Sequence, residues 1–506
     1  MQEVVVRGFS GFVTSDFALH SLTAATWIVS SVVGGLSKLA IAKVLDLWGR
    51  PQGMAIMLLI WVLGFVMMAA CKNVTTFAAA QVFSTVGSQG VSYCLTVFIS
   101  DTTRLRNRGL MLAYATSPYI ITTWLGGPIN EAYLEGAGWR WGFGTWAIVT
   151  PFVVGPLIAI FALNQHKAEK AGIIEKRKPQ FSLQVLKQLV IDFDLFGLLL
   201  LAGGLGLLLV PLSIYSYQAK GWESPMIICM LVFGVVLLGL FAAYEAWFAP
   251  VNFIPLHLLG DRTVFMAGLM MFFVFFNSAC WGTYFYSMLL AVWDMSVTNA
   301  TYISNIYRVG SCLASIFIGY LIRMTGRFKW VATYYAVPLM ILGVGLMMHF
   351  REANQSIGYV AMTQIFVAFA GGPIVIAAEM AMMAPLGHQH IAAILAILDL
   401  FGSVGYAVGA AVSGAIWTGT FRDALVKYLP ADAPVDYIYS SLYVQIEYAV
   451  GSPIRNGIAL AYGESQRYML AGGVAAMGLA WACCWCWRDI KVNTKEMDEQ
   501  TKGNVV

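Results

Sequence analysis

Charge is what this chain has least of. Lys, Arg, Asp and Glu together make up 11% of its 506 residues, against roughly a quarter in an ordinary soluble domain. A soluble fold cannot hide the complement of that scarcity, a 59% hydrophobic composition with mean hydropathy +0.73. The net charge of +4 is too small for a nucleic-acid partner. The six histidines lie far apart, and the eight cysteines show neither zinc spacing nor a disulfide framework. Cys483, Cys484 and Cys486 cluster beside Trp485 and Trp487, where they read as small apolar filler, with palmitoylation the alternative. HExxH, GxSxG and P-loop patterns are missing, so no enzyme activity, cofactor or metal site is expected. Gly204 and Gly206 begin a dinucleotide pattern, but Leu209 stands where its third glycine belongs. Inside an apolar run they read as helix packing, as do Gly405 and Gly409. Residues 1–20 lack the apolar stretch of a signal peptide.

What is abundant is long apolar sequence. Thirteen runs between Leu22 and Trp487 are each long enough to cross a bilayer, since a core of ~30 Å needs about 20 residues of helix. The runs are continuous rather than alternating, which selects helices over a barrel. The expected fold class is an all-α integral membrane bundle of thirteen transmembrane helices. Lys and Arg concentrate in the loops near 44–53, 101–108, 164–192 and 323–329 and in the tail from Arg488. By the positive-inside rule those segments are cytosolic, the amino terminus is exoplasmic and the carboxyl terminus cytosolic. Asn73, Asn299 and Asn354 head Asn-x-Ser/Thr sequences on loops that this orientation places outside.

Polar interruptions suggest a division of the chain. Residues 1–163 read as an amino-terminal bundle, 164–194 as a cytosolic linker and 195–248 as an inserted helix pair. Residues 249–488 read as a carboxyl-terminal bundle and 489–506 as a cytosolic tail. The Gly49-Arg50 and Gly326-Arg327 pairs, eight spans apart, are a faint internal repeat of the kind that builds secondary transporters. Within the carboxyl bundle, 421–466 is expected to be an ordered exoplasmic loop, rich in tyrosine.

Charges inside the spans are costly, so they mark cavities or partners. Asp399 lies eight residues into its span, roughly 12 Å deep at helical rise. It is too short to snorkel and is the candidate proton-coupling group. Lys38 and Glu379 lie nearer the cytosolic face, where snorkelling and structural roles suffice. Arg308 suits either a cavity or an outward snorkel. Asn277, Trp281 and Tyr284 share one helical face, and Tyr119 and Trp124 lie in another span. With Arg308 they are the candidate substrate-cavity residues, polar-tipped groups that suit a large, partly apolar ligand. Tyr443, Tyr448 and Arg455 in the outer loop are the candidate capture groups.

The loop AKVLDLWGR (42–50) resembles the loop motif of the major facilitator superfamily, with Asp46, Gly49 and Arg50 matching and Ala42 departing from glycine. Gln81 stands where the drug–proton antiporters of that superfamily carry Arg, which argues against drug antiport. Longer strings narrow the resemblance: DTTRLRNRG (101–109), SPYIITTWLGGPI (117–129), GWRWGFG (138–144), YISNIYRVGSC (302–312), IRMTGRFKW (322–330) and VGSPIRNGIALAYGESQRYML (450–470). Together, from about Thr14 to Trp487, the chain resembles the fungal siderophore–iron transporters, fourteen-span proton symporters. The resemblance implies import of a ferric siderophore with protons, across the plasma membrane or an endosomal membrane. It implies iron held by the chelate and no obligate protein partner. It makes gating loops of Asp46, Gly49, Arg50, Asp101, Arg104, Arg108, Gly326 and Arg327. Glutathione–proton exchange, which occurs in the same family, and a truncated, non-transporting protein are the alternatives.

Against a fourteen-span pattern the first span is expected to be missing. Residues 1–13 (MQEVVVRGFSGFV) are too short and polar to be a membrane helix. That would leave the amino-terminal bundle open, with Ser30, Ser31, Gly34 and Gly35 turned to lipid. It also leads to the expectation of an upstream apolar segment in the native protein, or of an inactive form.

Overall fold

In a lipid core no water satisfies peptide groups, so the apolar runs must close their hydrogen bonds within helices. The computed structural model does this throughout. It describes residues 2–17, 23–103, 105–172, 191, 194–215, 218, 220–250, 259–385 and 391–492. The amino half comprises α1 (Gln2–Asp16), α2 (Thr23–Trp48), α3 (Arg50–Ala70), α4 (Val74–Thr102), α5 (Leu105–Ala115), α6 (Tyr119–Glu135) and α7 (Gly138–Lys170). Two helices follow, α8 (Leu195–Leu209) and α9 (Pro225–Trp247). The carboxyl half begins with α10 (Arg262–Gly282), α11 (Phe285–Trp293) and α12 (Val297–Thr325). A π-helical turn (Val331–Ala336) leads into α13 (Val337–Phe350), followed by α14 (Ile357–Met383) and α15 (Ile391–Tyr428). The short α16 (Val435–Ser440) and α17 (Leu442–Glu447) precede α18 (Pro453–Trp485).

Helix ends follow local chemistry. Asn73, Asp261, Ser296 and Ser452 each accept a backbone N–H of the helix they precede, at 2.7–3.2 Å. Gly49, between α2 and α3, has φ 102°, and Gly326, after α12, has φ 68°. A side chain is strained in that left-handed region. Pro118 disfavours helical geometry at Ser117 and separates α5 from α6.

The halves meet along two seams. In one, α2 lies against α15. In the other, α5 and α6 lie against α12. The α8–α9 pair packs on itself and touches α2 at the edge of the first seam. Among the described residues, ten helical segments are long and apolar enough to cross a membrane. The three other expected spans coincide with α2, with the broken pair α5–α6 and with the shorter α8.

Three expectations change. Residues 2–16 form a helix. At about 1.5 Å per residue α1 is too short to cross a bilayer, yet Val4, Val5, Phe9, Phe12 and Val13 are buried. Phe9 meets Phe143 with ring centres 5.6 Å apart, and the missing side chains of Gly126 and Gly142 make room for Val4 and Phe9. Ser30, Gly34 and Gly35 are not turned to lipid either, the two glycines being covered by α4 and α15. Ser30 is 1% exposed, Gly34 packs on Thr85, and Gly35 packs on Ser403. Second, the segment 421–466 is mostly helix, because α15 runs on to Tyr428 and α18 starts at Pro453. Third, helix α7 continues to Lys170, inside the stretch read as a linker, while 173–190 lie outside the described residues.

Candidate functional site

The α2–α15 seam is set by a glycine. A Cβ on Gly35 would fall 2.2 Å from Ser403 Cβ, so the helices touch there in a way that no larger residue permits. One turn along each helix, Lys38 Nζ reaches Asp399 Oδ2 at 3.0 Å. The lysine side chain is 12% exposed and the carboxylate 41%. Lys38 therefore does not snorkel; it neutralises Asp399 across the seam. Glu379 on α14 lies close enough for the charge of Asp399 to act on it. Its Oε2 is shut away without a hydrogen-bond partner among the described residues.

The α6–α12 seam carries a second cross-half pair. Both terminal nitrogens of Arg308 engage the carboxylate of Glu3 on α1, Nη1 at 2.9 Å from Oε2 and Nη2 on Oε1. Arg7 Nε adds a contact to Glu3 at 3.3 Å, and the Tyr119 ring lies 5.5 Å from the Arg308 guanidinium. Farther along, Thr298 donates to Glu131. Trp124 packs on Tyr302 with ring centres 5.3 Å apart. These two rings line an apolar groove of about 230 Å³ with Thr123, Asn305 and Phe369.

The other cavity candidates are packed inside the carboxyl half. Asn277 is fully buried against Gly473, and neither amide atom has a partner among the described residues. Tyr284 is 1% exposed and stacks on Trp417 at 4.1 Å. Trp281 lies 5.4 Å from Tyr307, and its carbonyl accepts from Arg351 at 2.7 Å. Arg351, just after α13, is 1% exposed and sits 3.8 Å over the Phe285 ring. A lone arginine at a helix end gives no sequence signal for such burial.

At the end bearing α16 and α17, Arg455 works as a bracket. Although 2% exposed, it donates to the carbonyls of Gln445 (2.6 Å), Leu290 (2.9 Å) and Tyr448 (3.4 Å) and pairs with Asp294 at 3.1 Å. Tyr462 donates to Gln445 Oε1 at 2.7 Å. The cap so held also reaches α1. Leu442 N–H donates to Ser15 Oγ at 3.1 Å, and the Tyr443 ring lies 5.2 Å from Phe12. Burial pushes the Tyr443 hydroxyl up to about 12, with the charge of Asp16 adding to it.

At the opposite end, Arg108 is fully buried and donates to the Ser100 and Thr103 carbonyls at 2.9 and 3.0 Å. Arg327 pairs with Asp489 at 3.1 Å, and the Gly326 carbonyl accepts from Val492 N–H. The α12–α13 turn is thereby tied to the segment after α18. Gly49 and Arg50 form the start of α3. Arg104 and the side chains of Asp46 and Asp101 lie outside the described residues. Among the described residues, no group of three His, Cys, Asp or Glu is placed to hold a metal ion.

Comparison with known proteins gives the family. The Major Facilitator Superfamily profile matches residues 6–293. MFS siderochrome iron transporter 1 of Ajellomyces capsulatus is 50% identical, over 100% of this chain and 86% of the relative. MFS siderochrome iron transporter D of Aspergillus fumigatus is 42% identical over 99% and 84%. Siderophore iron transporter mirB of Emericella nidulans is 40% identical over 100% and 83%. Among solved structures, an auto-inhibited POT family peptide transporter matches with TM-score 0.56 at 12% identity, covering 97% of this chain and 96% of its own. The proton:xylose symporter XylE matches with TM-score 0.53 at 12% identity, covering 98% and 94%. At such low identity these two speak to the fold alone. The chain belongs to the major facilitator superfamily, and within it to the fungal siderochrome iron transporters.

Proposed function

We propose that this protein imports ferric siderophore chelates by alternating access, with protons as co-substrate. The observation that carries the reading is 50% identity, along the entire chain, to a relative named as a siderochrome iron transporter. The architecture supports it physically. Two helical halves joined by two seams can rock against each other and expose a central site to one side at a time. Each seam holds one cross-half ion pair, Lys38–Asp399 or Glu3–Arg308, which must loosen if its seam opens. In this reading Asp399 couples the proton. Its half-exposed carboxylate is accessible, and a proton there cancels the charge that holds Lys38. The cap at α16–α17 faces the exoplasm, where Tyr443 and Tyr448 meet the arriving chelate. The chain lies in the plasma membrane with its amino terminus outside.

The test is uptake of an iron-labelled hydroxamate chelate by a fungus stripped of its own carriers and expressing the full chain. Accumulation that rises as the medium is acidified is expected. Glutathione efflux without iron uptake, or chelate bound at the surface without accumulation, would overturn the reading.

A further inference from the structure

Lys38, Asp399 and Glu379 bring one formal positive charge and two negative charges to the α2–α15 seam. Lys38 reaches Asp399 at 3.0 Å, and its compensation is spent there. Glu379 Oε2 is excluded from water and receives no hydrogen bond among the described residues. A group of this kind in a low-dielectric interior needs a counter-charge or a proton.

Among the described residues, the surroundings of Glu379 favour the proton. From α15, which packs on α14, comes the carboxylate of Asp399, whose charge acts on Glu379. From α2, Lys38 is engaged by Asp399. From α5, Arg108 reaches Met383 Sδ, one turn farther along α14, at 3.7 Å, and binds the Ser100 and Thr103 carbonyls. Among the described residues, α10, α12 and α13 bring no charge that acts on Glu379. With one proton the trio is neutral, and among the described residues Glu379 Oε2 has no hydrogen-bond partner to hold a charge.

Access divides the two carboxyls as well. Asp399 is 41% exposed, whereas Glu379 is part-buried and its Oε2 is closed off. We infer that Glu379 is a second proton-carrying residue, which takes its proton from Asp399 and releases it at the end of the molecule bearing the α2–α3 turn. In the transfer, the O–H bond of the Asp399 acid breaks and an O–H bond forms on the Glu379 carboxylate. Asp399 returns to the anion and recovers Lys38, so the seam recloses while the proton waits on α14. No other reactant is required. A single carboxyl would have to be open to both sides in turn, whereas two carboxyls in series can divide that task. The inference rests on the proposed import of chelate with protons.

Two measurements test it. The first does not depend on transport: infrared difference spectra of the purified full chain, read for the carbonyl stretch of a protonated carboxyl. The band is expected in the parent and is expected to vanish in Glu379→Gln. Its persistence in Glu379→Gln would overturn the assignment. The second compares proton-driven accumulation of labelled chelate with exchange of labelled for unlabelled chelate in proteoliposomes. Glu379→Gln should lose accumulation by about tenfold or more, with a smaller loss of exchange, and Glu379→Asp should restore part of the accumulation. An equal loss of both, or pH-dependent accumulation like that of the parent, would reduce Glu379 to packing. If the parent moves no chelate while the infrared band behaves as expected, the import reading fails and the proton assignment stands.

Discussion

Among the described residues two ion pairs bridge the halves of this molecule, and they are built differently. At the α2–α15 seam a lysine meets one carboxylate oxygen of Asp399, which is 41% exposed, much as Glu3 is at 48% in the other pair. At the other seam a guanidinium fork takes both oxygens of Glu3, with Arg7 and the Tyr119 ring alongside. The difference is chemical. A single-contact ammonium–carboxylate pair is undone by one proton on the acid. A fork held on two oxygens and shared by a second arginine resists that change, and arginine keeps its charge throughout. The first pair is suited to a switch and the second to a clasp. Their surroundings agree with those roles. A second carboxyl, Glu379, stands beside the first pair. Beside the second stand aromatic rings and the Thr298–Glu131 bond, which tie α6 to α12.

The sharpest way to break the comparison is to keep both pairs and prevent the first seam from closing. Gly35→Leu places bulk where even a Cβ would sit 2.2 Å from Ser403. Overpacking of this kind costs about 1–3 kcal/mol where a core can adjust. The variant should reach the membrane but show uptake near background. Parent-like uptake would mean that α2 and α15 do not meet in the working cycle.

Next in size is Asp399→Asn. It leaves Lys38 without its counter-charge and mimics the protonated state permanently. Accumulation should fall by about tenfold or more and lose its dependence on external pH. Chelate binding should remain, as measured on membranes in the cold. Unaltered pH dependence would remove Asp399 from the mechanism and leave the first pair as a second clasp.

Arg308→Lys probes the clasp. It keeps the charge but loses the fork, so a loss of about 1–2 kcal/mol in stability is expected. This should appear as a lower melting temperature in detergent, with the pH profile of uptake unmoved. A shifted profile would show that the two seams are not divided into switch and clasp.

The smallest effect is expected at the cap. Tyr443→Ala removes a ring that lies 5.2 Å from Phe12 and is 39% exposed. It should raise the half-saturating chelate concentration a few-fold, about 1 kcal/mol of contact, with maximal uptake largely kept. The opposite pattern would make the α16–α17 cap a moving lid. Phe12→Ala, on the α1 side of the same contact, should then share it.

Periodicity and composition alone decided that this chain crosses a membrane as helices, because hydrocarbon leaves a long apolar segment no other way to satisfy its backbone. They also decided that charge within the spans is rare and positioned, so Asp399 and Arg308 could be singled out by depth. Order and spacing of short motifs carried the family resemblance. Pairing was beyond them. That Lys38 reaches Asp399 rather than the membrane surface depends on two helices about 360 residues apart in sequence touching at Gly35 and Ser403, a meeting that only tertiary packing decides. Tyr284 shares a helical face with Asn277, but its ring goes to Trp417 because the α10 helix breaks at that point. Residues 2–16 are too short and too polar to stand alone in lipid. They are nevertheless a buried helix, because α6, α7 and α12 supply the apolar wall and the counter-charge that an isolated segment lacks.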